Sequence, residues 1–117
     1  MWTVEMYETQ NGAIPVKVFL DKLDKQMRSR ALTELRLLQS MGNTIREPYS
    51  KHLQEGIFEL RIQAAGNISR IFYFFFVGRK IILTNGFVKK SQEIPLREID
   101  KARKYKADYE RRNRRDS

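Results

Sequence analysis

The most regular hydrophobic pattern in the chain lies between Gly56 and Lys90, in GIFELRIQAAGNISRIFYFFFVGRKIILTNGFVKK. Runs of β-branched and aromatic residues alternate there with short segments that contain glycine, which is typical of β-strands separated by tight turns. We predict three strands in series, with two-residue turns at Ala65-Gly66 and Gly78-Arg79. Two-residue turns join antiparallel neighbours, so the three strands form two successive hairpins.

These turns fix which residues lie opposite each other. The first places Arg61 directly opposite Arg70, and the second places Phe87 opposite Arg70 and Asn85 opposite Phe72. Because side chains alternate between the faces of a sheet, two faces are predicted. One is mixed and carries Ile57, Glu59, Arg61, Arg70, Phe72, Phe74, Leu83, Asn85, Phe87 and Lys89. The other is almost wholly apolar, which marks it as the core, and carries Phe58, Leu60, Ile62, Ile71, Tyr73, Phe75, Ile82, Thr84 and Val88.

The remaining elements follow from the same kind of periodicity. Alternation over Trp2 to Tyr7 predicts a first strand, and helical spacing of apolar residues predicts helices from Pro15 to Leu23 and from Lys25 to Met41. Residues 46–54 are predicted to form a loop, and a last helix begins at Ile94-Pro95. The order β-α-α-β-β-β-α indicates an α+β fold, with a small, twisted, mostly antiparallel sheet covered by helices on one face.

Composition narrows the class of protein. A chain of 117 residues is long enough for one domain, and the lack of cysteine excludes disulfides and thiolate metal sites. We predict a single domain over residues 1–110 and a basic, flexible tail over residues 111–117. The amino terminus has no signal-peptide pattern and no apolar run is long enough to span a bilayer, so a cytoplasmic location is expected. The sequence contains no metal or cofactor motif.

Charge indicates the kind of partner. The net charge is +9, and residues 56–117 carry 15 Lys and Arg against 7 Asp and Glu, so most of the positive field comes from the strands and the carboxyl-terminal region. This asymmetry favours a polyanionic partner such as nucleic acid. Solubility and a basic tail would account for the same charge without any specific partner.

The opposed arginines are the sharpest candidate for a functional site. Like charges facing each other across two strands are unfavourable unless an anion or a carboxylate lies between them. Two forked guanidinium groups suit a phosphate, and Phe72, Phe74 or Phe87 would offer rings on which bases stack. Alternatively, Glu59 neutralises one arginine and the row is an ordinary solvated charge ladder. Both interpretations stay open at this point.

Other candidate residues flank the arginines. Lys89 and Lys90 close the third strand, where they either present cations to a groove or simply keep a sheet edge soluble. His52 is the single histidine and lies beside Lys51 in the predicted loop, so it is either plain surface or an acid–base group.

Three segments resemble one known family: KHLQEGIFELRI (Lys51 to Ile62), SRIFYF (Ser69 to Phe74) and IILTNGFVKKSQEIP (Ile81 to Pro95). Together they are similar to the RelE/ParE superfamily of bacterial toxins, and most similar to its phage-derived HigB-like branch. The resemblance covers nearly the whole chain, because the length and the element order also match. It implies a RelE-like toxin domain.

The resemblance also implies a function. Such a protein is the toxin of a type II toxin–antitoxin system, a metal-independent endoribonuclease that cleaves mRNA on the ribosome and inhibits translation. A HigA-like helix-turn-helix antitoxin would neutralise it, and operator DNA would be bound only through that antitoxin. The matching positions expected to be catalytic are Arg61, Arg70, Lys89 and Lys90. Those expected to contact RNA are Lys51, His52, Phe72, Asn85 and Phe87. Asn85 stands where many relatives have a histidine, which leaves the proton acceptor open.

Two other functions are compatible with these residues. A ParE-like gyrase inhibitor would share the fold without nuclease chemistry, because a fold alone does not fix an activity. A non-enzymatic nucleic-acid-binding module would use the same aromatic and basic face and bind in a salt-dependent way without cutting the strand.

Overall fold

The sheet contains one strand more than predicted. The computed structural model describes residues 1–89 and 93–114. Within them the strands are β1 (Thr3–Met6), β2 (Ser50–Gln54), β3 (Ile57–Ala64), β4 (Asn67–Phe76) and β5 (Lys80–Lys89), arranged in the order β1-β5-β4-β3-β2. β1 pairs with β5 in parallel, and the other pairs are antiparallel. The helices are α1 (Pro15–Lys22), α2 (Lys25–Met41) and α3 (Leu96–Asn113). The α+β class is confirmed.

The extra strand is β2, which the prediction assigned to a loop. Its sequence, SKHLQ, has Leu53 as its one apolar side chain, so it lacks the alternation that marks a strand. It forms because it pairs with the strand that follows it, with Lys51 opposite Glu59 and His52 opposite Phe58. As the last strand of the sheet, β2 leaves its outer edge open.

Helices cover both faces of the sheet, so the prediction of one covered face is wrong. α1 and α2 pack on the predicted apolar face, in a core that includes Leu60, Ile71 and Tyr73. α3 packs on the opposite face, where Ile99 and Ala102 belong to one cluster with Ile57 and Phe72, and Tyr109 belongs to another with Phe74 and Ile82. Ile57, Phe72 and Phe74 of the mixed face are therefore buried beneath α3.

The predicted register is confirmed around the arginines and wrong farther along. Arg61 lies opposite Arg70, which lies opposite Phe87. The predicted two-residue turn at Gly78-Arg79 is wrong, because Phe76 pairs with Lys80 and the turn between them holds three residues. A register shift compensates for it, since Tyr73 pairs with Leu83 but Phe72 pairs with Asn85. The Oγ1 atom of the skipped residue, Thr84, lies 3.2 Å from the Phe72 carbonyl oxygen. Between the turn and this β-bulge, Ile82 and Leu83 lie on the faces opposite to those predicted, so that Leu83 joins the α1–α2 core and Ile82 lies beneath α3.

The predicted helix boundaries agree closely with the structure at α2. The helix spans Lys25–Met41 as predicted, and the side chain of Asp24 accepts a hydrogen bond from the Met27 amide at 2.8 Å. At the other end of the chain, α3 continues through Asn113, so the first three residues of the predicted tail are helical. Residues 115–117 of that tail lie outside the described part of the chain.

Gly42 lets the end of α2 approach the only tryptophan. Its φ is +55°, and a Cβ added to it would lie 1.9 Å from Nε1 of Trp2. We expect Gly42→Ala to lower the free energy of unfolding by about 1–3 kcal/mol more than Gly66→Ala, because the clash adds to the strain of a positive φ. Gly66 is the matched control, since its φ is +81° and a Cβ added there would meet no atom within 4 Å. Chemical denaturation followed by Trp2 fluorescence measures both, and equal losses would contradict the clash.

The carboxyl-terminal half of α3 is held to the start of the sheet by Asp108. Tyr7 Oη donates to Asp108 Oδ2 at 2.6 Å, and Arg112 Nε donates to the same oxygen at 2.9 Å. Arg111 also pairs with this carboxylate. The Tyr7 hydroxyl and the Arg112 guanidinium lower the pKa of Asp108 to about 2. This network fastens the helix that covers one face of the sheet.

Asp108 should therefore make stability depend on pH. Because its folded pKa lies below the unfolded value of about 4, its contribution is complete above that value and is lost as the pH falls through about 2. We expect wild-type protein to lose more stability than Asp108→Asn between pH 5 and pH 2, because the amide keeps an acceptor but has no charge to lose. Urea midpoints across this range measure the difference. Parallel curves for the two proteins would exclude the effect.

Candidate functional site

One cation from each of four neighbouring strands lies on the face that carries α3. Lys51 is on β2, Arg61 on β3, Arg70 on β4 and Lys89 on β5. The pairings that place them on one face are Lys51 with Glu59, Arg61 with Arg70, and Ile68 with Lys89. We call these four residues the cation row. The row lies next to the area that α3 covers.

A fully buried carboxylate holds the two arginines together. Oε2 of Glu59 accepts a hydrogen bond from Arg61 Nε at 3.0 Å and also pairs with Nη1 of Arg70. Glu59 is 0% exposed and Arg70 is 5% exposed. Glu59 therefore pairs with both arginines and not with one alone. In the cation row, the one charge of Glu59 is shared by two arginines, and the two lysines add further positive charge, so these five residues carry a formal excess of positive charge that suits an anion.

Two buried polar atoms at this point have no hydrogen-bond partner among the described residues. They are Oε1 of Glu59 and Nε of Arg70. Buried polar groups are normally paired, since leaving one unpaired costs roughly 1–3 kcal/mol. An unpaired acceptor and an unpaired donor, both buried, therefore lie beside the arginine pair.

Lys89 lies in a field that favours its neutral form. Partial burial lowers the pKa of Lys89, and the positive charges of Arg70, Arg61 and Lys51 lower it further, while Glu59 opposes the change. A lysine with a lowered pKa is a better proton acceptor near neutral pH than an ordinary one. Lys90, the second lysine of the predicted site, lies outside the described residues.

The aromatic side chains predicted to contact RNA are not equally accessible. Phe72 is 0% exposed, and it is packed beneath α3 with Ile99 and Ala102, so no base can stack on it while the helix stays in place. Phe74 is buried in the same way. Phe87 is half-buried, lies opposite Arg70 and meets the Phe72 ring edge-on at 5.4 Å between centroids. Phe87 is thus the accessible ring beside the arginines.

Asn85 anchors α3 and does not face open solvent. It is 3% exposed, and its Nδ2 donates to the Glu98 carbonyl oxygen at 3.1 Å and to Glu98 Oε1 at 3.2 Å. Its Oδ1 accepts a hydrogen bond from Thr84 at 2.7 Å. The predicted contact between Asn85 and RNA is therefore replaced by a contact with the first turn of α3. The same contacts fix the start of the helix relative to β5.

His52 lies apart from the arginines. It is exposed and opposite Phe58, whose ring centroid lies 4.8 Å from its own, on the face that α1 and α2 cover. An acid–base role at the arginine pair does not fit this placement. Instead, His52 lines a cavity of about 370 Å³ at the open edge of β2, whose other lining residues are Asn43, Ile45, Arg46, Glu47, Ser50, Lys51 and Phe58.

From the sequence, Glu59 is expected only to neutralise one of the two arginines. The residue that organises the site is nevertheless this carboxylate, since it is the group that holds both arginines. The signal was present, because an acid in the middle of an apolar strand needs a buried cation to pair with. Two further features concern only the described residues: no group of three or more His, Asp or Glu side chains is placed to hold a metal, and no helix is long and apolar enough to cross a membrane.

Comparison with known proteins gives a family for the chain. A search of curated proteins finds no match. A scan of family models matches residues 18–107, which include α2, four of the five strands and most of α3, to the model described as phage derived protein Gp49-like (DUF891). The chain therefore belongs to the Gp49-like family of phage-derived proteins, a RelE-like toxin family of toxin–antitoxin systems.

Proposed function

We propose that the protein is the toxin of a type II toxin–antitoxin system and that it cleaves mRNA on the ribosome as a metal-independent endoribonuclease. Membership of the Gp49-like family is compatible with a toxin and suggests an antitoxin partner. The observation that carries the nuclease proposal is the opposed pair Arg61 and Arg70, held by the buried Glu59 beside a lysine whose pKa is lowered.

Arg61 would bind the phosphate at which the strand is cut, and the buried Arg70 beside it would act on the same phosphate through its positive charge. A 2′-hydroxyl attacks the adjacent phosphorus, and negative charge accumulates on the phosphoryl oxygens as the new bond forms. Guanidinium groups stay protonated throughout and donate several hydrogen bonds in fixed directions, so they stabilise this charge. Glu59 orients both arginines before the substrate arrives, which avoids the cost of ordering two long side chains during the reaction.

Lys89 is our candidate for the proton acceptor. As a neutral amine it would take the proton of the attacking 2′-hydroxyl while the bond from phosphorus to the 5′-oxygen breaks. The products are a 2′,3′-cyclic phosphate and a 5′-hydroxyl. Because the lysines of the cation row are partly open to solvent, water can deliver the proton that the departing 5′-oxygen takes up.

This assignment predicts a pH dependence. A base must be unprotonated, so the rate of cleavage should rise with pH through the pKa of Lys89, which lies below that of an ordinary lysine. We expect Lys89→Arg to keep RNA binding but to lose this rise, because an arginine does not give up its proton. Single-turnover rates between pH 6 and pH 10 measure both proteins. An identical rise in Lys89→Arg would assign the proton acceptor to another group.

A direct test compares three activities of the wild-type protein. Purified protein is incubated with ribosomes carrying a defined mRNA, and the new 5′ ends are mapped; gyrase supercoiling and plain RNA binding are measured with the same sample. The proposal expects cuts within the ribosome-bound codon. Inhibition of gyrase without cuts would support the ParE-like alternative, and salt-dependent binding without either effect would support a binding module. A HigA-like helix-turn-helix antitoxin should abolish the cutting when it is added.

A further inference from the structure

The cation row has a direction across the sheet. Arg61 and Arg70 are directly opposed, so their Cβ atoms lie about 5 Å apart. Lys51 is the diagonal neighbour of Arg61, and Lys89 is the diagonal neighbour of Arg70, and such neighbours lie about 7–8 Å apart. The four cations therefore run diagonally across four strands, because Lys51 is displaced by two residues from the arginine pair in one direction and Lys89 by two residues in the other. Consecutive phosphates of an extended nucleic-acid strand could meet successive members of the row.

The charges do not continue along the strands. On the same face of β3, Arg61 is followed on one side by Glu59 and on the other by the uncharged Gln63. On the same face of β4, Arg70 lies between Ile68 and Phe72. A phosphate backbone that ran along either strand would leave the positive charge after one residue, and on β3 it would meet a carboxylate. The favourable path for a polyanion is across the strands.

We infer that single-stranded RNA crosses the sheet from β5 to β2 in the 5′ to 3′ direction, and that Lys51 holds the phosphate that follows the cleaved one. The inference rests on the proposed function for its direction. If Lys89 accepts the proton of the 2′-hydroxyl, the nucleoside on the 5′ side of the cut lies at β5. The scissile phosphate then lies at Arg61 and Arg70, and the strand leaves toward Lys51.

The open edge of β2 offers room for the nucleotide on the 3′ side. No strand among the described residues lies beyond β2, so a backbone that passes Lys51 can turn around the edge. On the other side of that edge is the cavity of about 370 Å³, a size that falls in the range of small-molecule sites. His52 and Phe58 contribute rings there, Arg46 contributes a cation and Glu47 contributes a carboxylate. This chemistry suits a nucleobase that stacks on a ring and a sugar that stays near the lysine.

The test neutralises one phosphate at a time. Four-nucleotide RNAs are made with a single methylphosphonate at each of the three linkages, and binding and cleavage are measured for wild type, Arg61→Ala and Lys51→Ala. In Arg61→Ala, neutralising one of the three linkages should no longer weaken binding. That linkage marks the phosphate bound at the arginines. We expect neutralisation of the linkage one step 3′ of it to weaken RNA binding by the wild type about tenfold or more, because a charge-assisted contact is lost. The same neutralisation should not weaken binding further in Lys51→Ala. Lys104→Ala, an exposed lysine on α3, is the matched control and should respond like wild type.

The binding results for Lys51→Ala either support the proposed RNA path or contradict it. Loss of the effect at the 3′ linkage in Lys51→Ala supports the path and its direction. Loss at the 5′ linkage instead would reverse the direction, and a response of Lys51→Ala equal to that of Lys104→Ala would remove Lys51 from the path. Binding separates this inference from the proposed nuclease activity. If the coupling between Lys51 and the 3′ linkage is present but no RNA is ever cut, the path stands and the nuclease proposal fails.

Discussion

Arg61→Ala should lower the rate of RNA cleavage by about 100- to 1000-fold, the loss typical of removing one donor to a developing oxyanion. The side chain of Arg61 is 26% exposed and reaches Glu59 from the strand opposite Arg70. Its removal leaves Glu59 paired with Arg70, so the buried carboxylate keeps a partner. It also removes the repulsion between the two arginines. We therefore expect a large loss of activity with little loss of stability.

Single-turnover cleavage and urea denaturation of the same preparations separate the two effects. Arg61→Lys keeps the charge and loses the forked donors, so its rate should fall between those of wild type and Arg61→Ala. Arg36→Ala is the matched control, because Arg36 is an exposed arginine on α2, on the opposite face of the sheet. Cleavage at the wild-type rate in Arg61→Ala would remove the arginine pair from the mechanism. A fall of similar size in Arg36→Ala would instead indicate a general effect of charge.

The part of the fold that the sequence predicts best is the part fixed by local chemistry. α2 begins after an Asp24 cap and ends before a glycine, and both signals are visible in the sequence. The turn at Ala65-Gly66 fixes the register that opposes Arg61 to Arg70, because a two-residue hairpin leaves no freedom in pairing. The same strict counting fails beyond Phe72. The turn after Phe76 holds three residues instead of the predicted two, and the bulge at Thr84 changes the count back by one residue, so the predicted pairs fail between the turn and the bulge.

The sequence predicts which charged residues of the site lie together, but it does not predict which residues of the site are buried. Alternation identified the mixed face correctly near the arginines, but it could not tell that α3 would cover Phe72 and Asn85. The sequence shows that α3 has an apolar stripe, but it does not show what the stripe packs against. Only the tertiary structure shows that it packs against the aromatic residues of this face. β2 was missed for a related reason, since an edge strand pairs on one side only and needs little hydrophobic pattern. The accessible residues of the site are Lys51, Arg61, Lys89 and Phe87, whereas Arg70 is buried.

Burial of the Glu59–Arg70 pair leads to the second large prediction. Removing one member of a buried ion pair leaves the other charge without compensation, which typically costs 3–5 kcal/mol. Arg70 is 5% exposed and Glu59 is 0% exposed, so both charges are removed from water. We expect Arg70→Met to lower the free energy of unfolding by about 3–5 kcal/mol, because Glu59 keeps only the partly exposed Arg61 as a partner. Lys17→Ala breaks an ion pair whose side chains are 62% and 65% exposed, and should cost less than about 1 kcal/mol.

The double variant Glu59→Leu/Arg70→Met distinguishes a stabilising pair from a functional one. Apolar residues of similar size often replace a buried ion pair without loss, because both desolvation costs disappear together. We therefore expect the double variant to regain most of the stability that Arg70→Met loses, while RNA cleavage remains as low as in Arg70→Met. Denaturation midpoints and single-turnover rates are measured for wild type, Glu59→Leu, Arg70→Met and the double variant, which together form a double-mutant cycle. Recovery of stability without activity would mean that the pair is retained for orienting the arginines, whereas additive losses of stability would show that the fold itself requires it.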